Sequence, residues 1–295
     1  MVGTFENDRV AALIDMLKPE RLTRIVDVGA NPVNDPPYKA LLEMGSCEVW
    51  GFEPHPEAFE ALQNVENPNV HYLPFAVGAG GKATLNICNS SAFTSLLEPN
   101  SKAVTYLGMW GHAMTVAEKV EMDTKRLDDL DDIPAFDLLK IDVQGGEGLV
   151  FQGAQEKLAA SVAVITEVAA IPLYVDQPLL DEQMRLLRQT GHHLHKFQSF
   201  KSRKLHRRIS KTIEGRALSN QLIDGDAVFV RDMMDLQLMS DEELKHLAIL
   251  ADAVIESYDL SIAAMQELII RGHLKGRDVK QYIEHVIKIP RVRTR

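Results

Sequence analysis

The succession of apolar and polar positions along the chain reads as strands alternating with helices. Val10, Leu13, Ile14 and Leu17 have the spacing of one helical face that stops before Pro19, so a helix leads the chain. Arg24-Ile25-Val26-Asp27-Val28-Gly29 is a short run rich in β-branched residues and closed by glycine, the pattern of a strand buried on both faces of a parallel sheet. Asp35 is placed to cap a helix that opens with Pro36 and continues through Lys39 to Glu43, ahead of Gly45. A second strand is predicted over Cys47–Phe52, a second helix over Pro56–Val65 and a third strand over Val70–Val77. Lys82–Cys88 and Val116–Met122 alternate as partner strands with a long loop, Asn89–Thr115, between them. Phe136–Val143 is the clearest central strand, and a helix follows it up to Gly153. Ala163–Val168 and Ala227–Arg231 repeat the strand signal on either side of a helix over Leu179–Thr190. The fold class is therefore α/β, a doubly wound and mostly parallel sheet.

Near Asp235 the texture changes. Ser240 followed by Glu243 is a capping box, and Leu244, Leu247, Ala248, Ala251, Val254, Ile255 and Tyr258 form an apolar stripe. Two more helical segments, Leu260–Arg271 and Arg277–Lys288, are separated by Gly272 and Gly276 and stopped by Pro290. The expected organisation is an α/β domain over 1–235 and a helical C-terminal appendage over 236–295. The stripe of the appendage packs either on its own sheet or on a second copy of the chain, the latter giving a homodimer.

Composition narrows the function classes. Of 295 residues 45% are hydrophobic and 25% charged, as in an ordinary globular protein, and 32 basic against 42 acidic residues leave a net charge of −10, which argues against nucleic acid as a partner. Cys47 and Cys88 form neither a disulfide framework nor a zinc pattern, so a reducing compartment is expected. The first 17 residues carry Glu6, Asp8, Arg9 and Asp15 and do not read as a signal peptide, and the most apolar window, Leu158–Tyr174, is short and broken by Glu167. No transmembrane segment and a cytoplasmic location are the expectation.

Candidate chemistry gathers where two strands end. In an open α/β sheet ligands bind beyond the carboxyl ends of the strands, and Asp27-Val28-Gly29-Ala30-Asn31 has that placement. Glu53 closes the second strand 24 residues after Gly29, where a carboxylate accepts hydrogen bonds from the hydroxyls of a ribose. Pro32-Val33-Asn34-Asp35 then replaces the glycine fingerprint a dinucleotide needs, and Asp27 and Asp35 repel phosphate. S-adenosylmethionine carries no phosphate and is positively charged, so it suits the acidic loop, with Asp27 orienting its amino-acid end.

Six segments in order carry a resemblance: Val26-Asp27-Val28-Gly29-Ala30-Asn31, Gly51-Phe52-Glu53-Pro54-His55-Pro56, Phe75-Ala76-Val77-Gly78, Thr94-Ser95-Leu96, Arg126-Leu127-Asp128-Asp129-Leu130, and Leu139-Lys140-Ile141-Asp142-Val143-Gln144-Gly145-Gly146-Glu147. Over about residues 23–170 the chain resembles the FkbM-type S-adenosylmethionine-dependent methyltransferases. The resemblance implies a Rossmann-like methyltransferase fold and methyl transfer, usually to a hydroxyl oxygen of a sugar, polyketide or similar metabolite. It implies cofactor contacts at Asp27, Gly29, Ala30, Asn31, Glu53, Pro54, Ala76, Val77, Ser95 and Asp142. The family usually has glycine where Val33 stands, so this loop must take another path. The rival readings are a binding or scaffold protein that keeps the fold without turnover and a nicotinamide oxidoreductase, against which the missing glycine fingerprint speaks.

An alcohol acceptor must lose a proton, which asks for a base or a metal. Asp142 and Glu147 are the candidate catalytic carboxylates, while Lys140 reads as structural. Asp142, Glu147 and Glu167 can hold a divalent ion only if they converge, so no metal ligand is assigned. His192, His193 and His195 read as a solvated cluster. Tyr106 and Trp110 in the long loop either stack on an acceptor or are buried. Lys196 to Arg216 holds eight basic residues and one acidic, which is either a solvated face or a receiver for an anionic metabolite or glycan precursor.

Overall fold

The computed structural model describes residues 2–30, 35–64, 67–205 and 219–287. In chain order its elements are α1 (Val2–Leu17), β1 (Thr23–Val28), α2 (Lys39–Glu43), β2 (Cys47–Phe52), α3 (Pro56–Gln63), β3 (Val70–Leu73), β4 (Ala76–Val77) and β5 (Gly81–Cys88). Then come α4 (Ser101–Leu107), β6 (Val116–Lys125), β7 (Leu138–Ile141), α5 (Glu147–Gln152), α6 (Gln155–Ala159), β8 (Ala163–Ala169) and α7 (Leu180–Gln189). The chain closes with β9 (His192–Phe197), β10 (Lys201–Arg203), β11 (Gln221–Arg231), α8 (Asp241–Ala253), α9 (Tyr258–Ile270) and α10 (Gly276–Ile287). Residues 26–32 and 49–231 make one compact unit, and residues 1–25, 33–48 and 232–295 the other.

The described residues form an eight-stranded sheet ordered β10-β11-β8-β7-β1-β2-β3, with β9 also pairing β11. β2 runs parallel to β3 and β7 parallel to β8, whereas β11 is antiparallel to β8, β9 and β10. This is a mostly parallel sheet of an α/β fold, closed by an antiparallel strand. The central strands are rich in apolar residues because they run through the core: Val26, Val28, Leu139, Ile141, Val164 and Val168 are all buried with Phe136, Phe151 and Phe229. In a second, three-stranded sheet β6 pairs parallel with β4 and antiparallel with β5, the latter register running from Gly81 opposite Thr124 to Cys88 opposite Val116.

Several local expectations are corrected. The strand over Val70–Val77 is two strands in two sheets, because Pro74 has no N–H for the ladder and the chain turns there. The helix after β1 begins at Lys39, with Tyr38 as its cap. Pro37 disfavours helical geometry at Pro36, and Asp35 instead pairs with Lys39 Nζ at 2.9 Å. The loop over Asn89–Thr115 contains α4, capped by Asn100, whose side chain accepts from the N–H groups of Lys102 and Ala103. Ala103, Leu107 and Met114 of this insertion pack with Leu173, Tyr174 and Ile223 in a second apolar cluster. The histidines are no solvated cluster: they lie on β9, and His192 is 0% exposed, held by the hydroxyls of Ser161 and Thr190 at 3.2 and 3.1 Å. Burial, with Arg231 nearby, pushes its pKa down to about 3.

In the other unit the capping box is present: Glu243 N–H donates to Ser240 Oγ, and Ser240 N–H to Glu243 Oε2. The stripe does not continue in one helix to Tyr258; α8 stops at Ala253, and Glu256 turns the chain with a φ of 54°. The C-terminal helices share this unit with α1, where buried Arg9 pairs with Asp252 at 3.0 Å and the Tyr282 hydroxyl donates to the same carboxylate. No described helix is long and apolar enough to cross a membrane.

Candidate active site

Three strand tips are knitted together by main-chain bonds. Gly29 and Ala30 N–H both donate to Phe52 O at the end of β2, and Asp142 N–H donates to Val28 O. Gly29 has a φ of +82°, and a Cβ there would lie 2.0 Å from the Asp142 carbonyl oxygen, so glycine is demanded both by the turn and by the approach of β7. Asn31 and the run from Pro32 to Asn34, with Val33, lie outside the described residues.

Around this knot stand Asp27, Glu53 and Lys140, which reads from the sequence as structural. Its Nζ sits 3.0 Å from Asp27 Oδ1 and 3.4 Å from Gly29 O. Burial works against the lysine charge, but Asp27, Asp142 and Asp226 outweigh it and hold its pKa above the ordinary value. Glu53 Oε1 accepts from His55 N–H at 2.7 Å, which fixes the carboxylate over the turn into α3. Burial raises the Glu53 pKa to about 7, with Asp27 adding to the shift and the His55 N–H and Lys140 opposing it. Pro54 follows in the same turn, half-buried. Ala76 and Val77 lie buried in β4, paired with Thr124 and Lys125.

A second group lies at the tips of β7 and β8. Their parallel register sets Ile141 opposite Thr166, so the next residues, Asp142 and Glu167, emerge side by side. Glu147, at the first turn of α5, completes the group: the three carboxylates each present an oxygen within 4.8 Å of the others. Glu147 is 1% exposed, and its Oε1 accepts from Val143 and Gly145 N–H at 3.1 Å. Its pKa is raised to about 7 by burial and then by Asp142. Glu167 is raised well above the carboxylate range by burial, Asp142, Glu147 and Asp224, with Lys201 opposing. Such a group can share protons, and it is also a donor set of the kind hard divalent cations take.

Ser95 is 2% exposed, and its hydroxyl donates to Gln144 O at 2.7 Å while accepting from Leu97 N–H. Trp110 packs on Phe93 with ring centroids 5.6 Å apart, under the Arg203 guanidinium, and Tyr106 is half exposed. Of the basic segment, Lys201 is committed to Asp224 at 3.0 Å and Glu167 at 3.8 Å, and residues 206–218 lie outside the described residues.

The family model for the methyltransferase FkbM domain matches residues 27–194, more than half of the chain. No curated protein matches it. Among solved structures it is similar to a precorrin-6y C5,15-methyltransferase from Geobacter metallireducens GS-15, with 12% identity, 75% of this chain and 87% of that one covered, and a TM-score of 0.37. It is also similar to the N-methyltransferase NodS from Bradyrhizobium japonicum WM9, at 9% identity, 77% and 97% coverage and a TM-score of 0.34. A third is TYW2 of M. jannaschii in complex with AdoMet, at 11% identity, 76% and 75% coverage and a TM-score of 0.30. With likenesses this distant, the family match carries the assignment: the chain belongs to the FkbM methyltransferase domain family.

Proposed function

We propose that this chain transfers a methyl group from S-adenosylmethionine to a hydroxyl oxygen of a small metabolite of the sugar or polyketide kind. The observation that supports the reading is the adjacency of two acidic groups, the Asp27–Lys140–Glu53 clasp and the Asp142–Glu147–Glu167 cluster, bridged by the bond between Asp142 N–H and Val28 O. With Lys140 offsetting Asp27, ionised Glu53 leaves the first group net negative, which suits a cationic ligand better than a phosphate. Glu53 would accept the ribose hydroxyls, and Asp27, steadied by Lys140, would orient the amino-acid end. When bound, the cofactor supplies an electrophilic methyl on a positively charged sulfur.

The second group handles the proton. Asp142, the exposed member, meets the acceptor hydroxyl, and as the oxygen takes the methyl its proton passes to the carboxylate cluster. A base is most effective when its pKa lies near the working pH, and Glu147 has that value because it is buried beside Asp142.

Calorimetry with S-adenosylmethionine and S-adenosylhomocysteine tests the reading. Heat is expected from both; silence from both would leave the scaffold reading standing. Asp142→Asn should then lose turnover on any acceptor found by panel screening.

The affinity should also depend on pH with a definite sign. Glu53 accepts both ribose hydroxyls best when ionised, but alone it is held protonated up to about pH 7. Ligand therefore binds better as pH rises through 7, and S-adenosylhomocysteine should bind about tenfold more tightly at pH 8 than at pH 6. Glu53→Gln should flatten that dependence. An unchanged slope in the variant would remove Glu53 from the cofactor site.

A further inference from the structure

Gln144 occupies a position where glycine would be cheaper. Its φ is +55°, in the left-handed region that non-glycine residues rarely enter, and the next two residues are both glycines. A side chain kept in a strained conformation invites the question of what that side chain does. Gln144 Nε2 donates to Asp142 Oδ1 at 2.6 Å, so the amide grips the exposed carboxylate of the acid cluster. Its main chain is gripped in turn: Ser95 Oγ donates to Gln144 O, and the Tyr174 hydroxyl lies 3.4 Å from Gln144 Oε1. Ser95 is itself anchored, since its main chain exchanges two bonds with Asn86 in β5 and its hydroxyl accepts from Leu97 N–H. Tyr174 belongs to the apolar cluster that seats α4.

We propose that Ser95 and Gln144 are positioning residues that orient the Asp142 carboxylate, coupling the packing of the insertion between β5 and β6 to the reacting end of the site. The proposal rests on the reading of Asp142 given above. It accounts for a neutral amide at 144: a glutamate of the same length could not donate to Asp142 while ionised and would repel it, and a glycine would relieve the backbone but release the carboxylate. It also gives Ser95 a role at the site without contact to cofactor or acceptor.

The test is solution NMR on the full chain at one fixed pH. The Gln144 side-chain amide is assigned by its loss in Gln144→Met, and the Asp142 carboxyl carbon by its loss in Asp142→Asn. In the wild type the Gln144 amide protons should exchange with solvent roughly tenfold more slowly than those of an exposed glutamine. In Ser95→Ala that protection should vanish and the Asp142 carboxyl resonance should move, although the Ser95 hydroxyl touches neither side chain. Gln144→Glu should move the Asp142 resonance at least as far as Gln144→Met does. A protected amide with an Asp142 resonance unmoved by Ser95→Ala would make Ser95 a structural stitch only, and an unprotected amide in the wild type would overturn the proposal outright. If Ser95→Ala fails to fold, Tyr174→Phe gives the same readout from the other side. Titrating wild type with S-adenosylhomocysteine in the same spectra separates the two readings: absence of any shift overturns the cofactor assignment while the behaviour of Gln144 still decides the relay.

Discussion

Replacing Gly29 by alanine is expected to destabilise the protein by about 3 kcal/mol or more and to weaken S-adenosylhomocysteine binding by roughly tenfold or more. Two costs add. A left-handed φ is worth about 1 kcal/mol against an L side chain, and the new Cβ would lie 2.0 Å from a main-chain oxygen, which no rotamer change can relieve. Either the β1 turn or the β7 tip must move, and both belong to the crevice. Gly81→Ala is the control: its φ is +85°, but a Cβ there meets nothing within 4 Å, so only the conformational cost of about 1 kcal/mol is expected. Denaturant melts and calorimetry on both variants check this. Equal losses from the two substitutions would show that the strand tips have room to spare.

Glu147→Gln should have the opposite sign: it should make the protein more stable. A carboxyl whose folded pKa is raised stabilises the native state fully below its unfolded value and loses that contribution as pH rises through the folded one. For Glu147 the window runs from about 4.5 to about 7, and the loss amounts to about 3 kcal/mol at pH 8. Glutamine keeps the oxygen that accepts from Val143 and Gly145 N–H and carries no charge to desolvate. Denaturant melts should show the variant more stable by about 2–3 kcal/mol at pH 8 and nearly equal to wild type at about pH 4. Turnover, if Glu147 takes the acceptor's proton, should fall at both pH values. A variant less stable than wild type at pH 8 would mean that its charge is compensated in solution.

The two predictions draw on different amounts of sequence information. Gly29 could be picked out from its neighbours alone, because a β-branched run ending in glycine marks a buried strand meeting a tight turn. The carboxylates of Asp142 and Glu147 were nameable for the same reason, as residues just past the clearest central strand. Glu167 could be named as a candidate oxygen donor, but its place beside Asp142 depends on the parallel register of β7 and β8, which no local pattern encodes. The pairing of Lys140 was out of reach for a related reason: its partner Asp27 is on another strand, 113 residues away in the chain.

The elements that escaped sequence reading share a trait. β9 and β10 are rich in His, Lys and Ser, and they are strands because β11 offers them an edge, so their strand character is borrowed from a remote partner. α4 is short and sits in a polar stretch, held by the Asn100 cap and by contacts with Leu173, Tyr174 and Ile223 far along the chain. Ser95 carried a family motif, yet its commitment to Gln144 appears only once the insertion is seated.

By itself, then, the sequence determined the burial of the central strands, the alternation that makes a parallel sheet and the acidic character of the strand ends, because periodicity and charge are properties of neighbours along the chain. Tertiary structure decided which acids face each other, which lysine offsets them and what holds Asp142. Those relations join residues brought together by strand order and register, and packing of the whole core selects both.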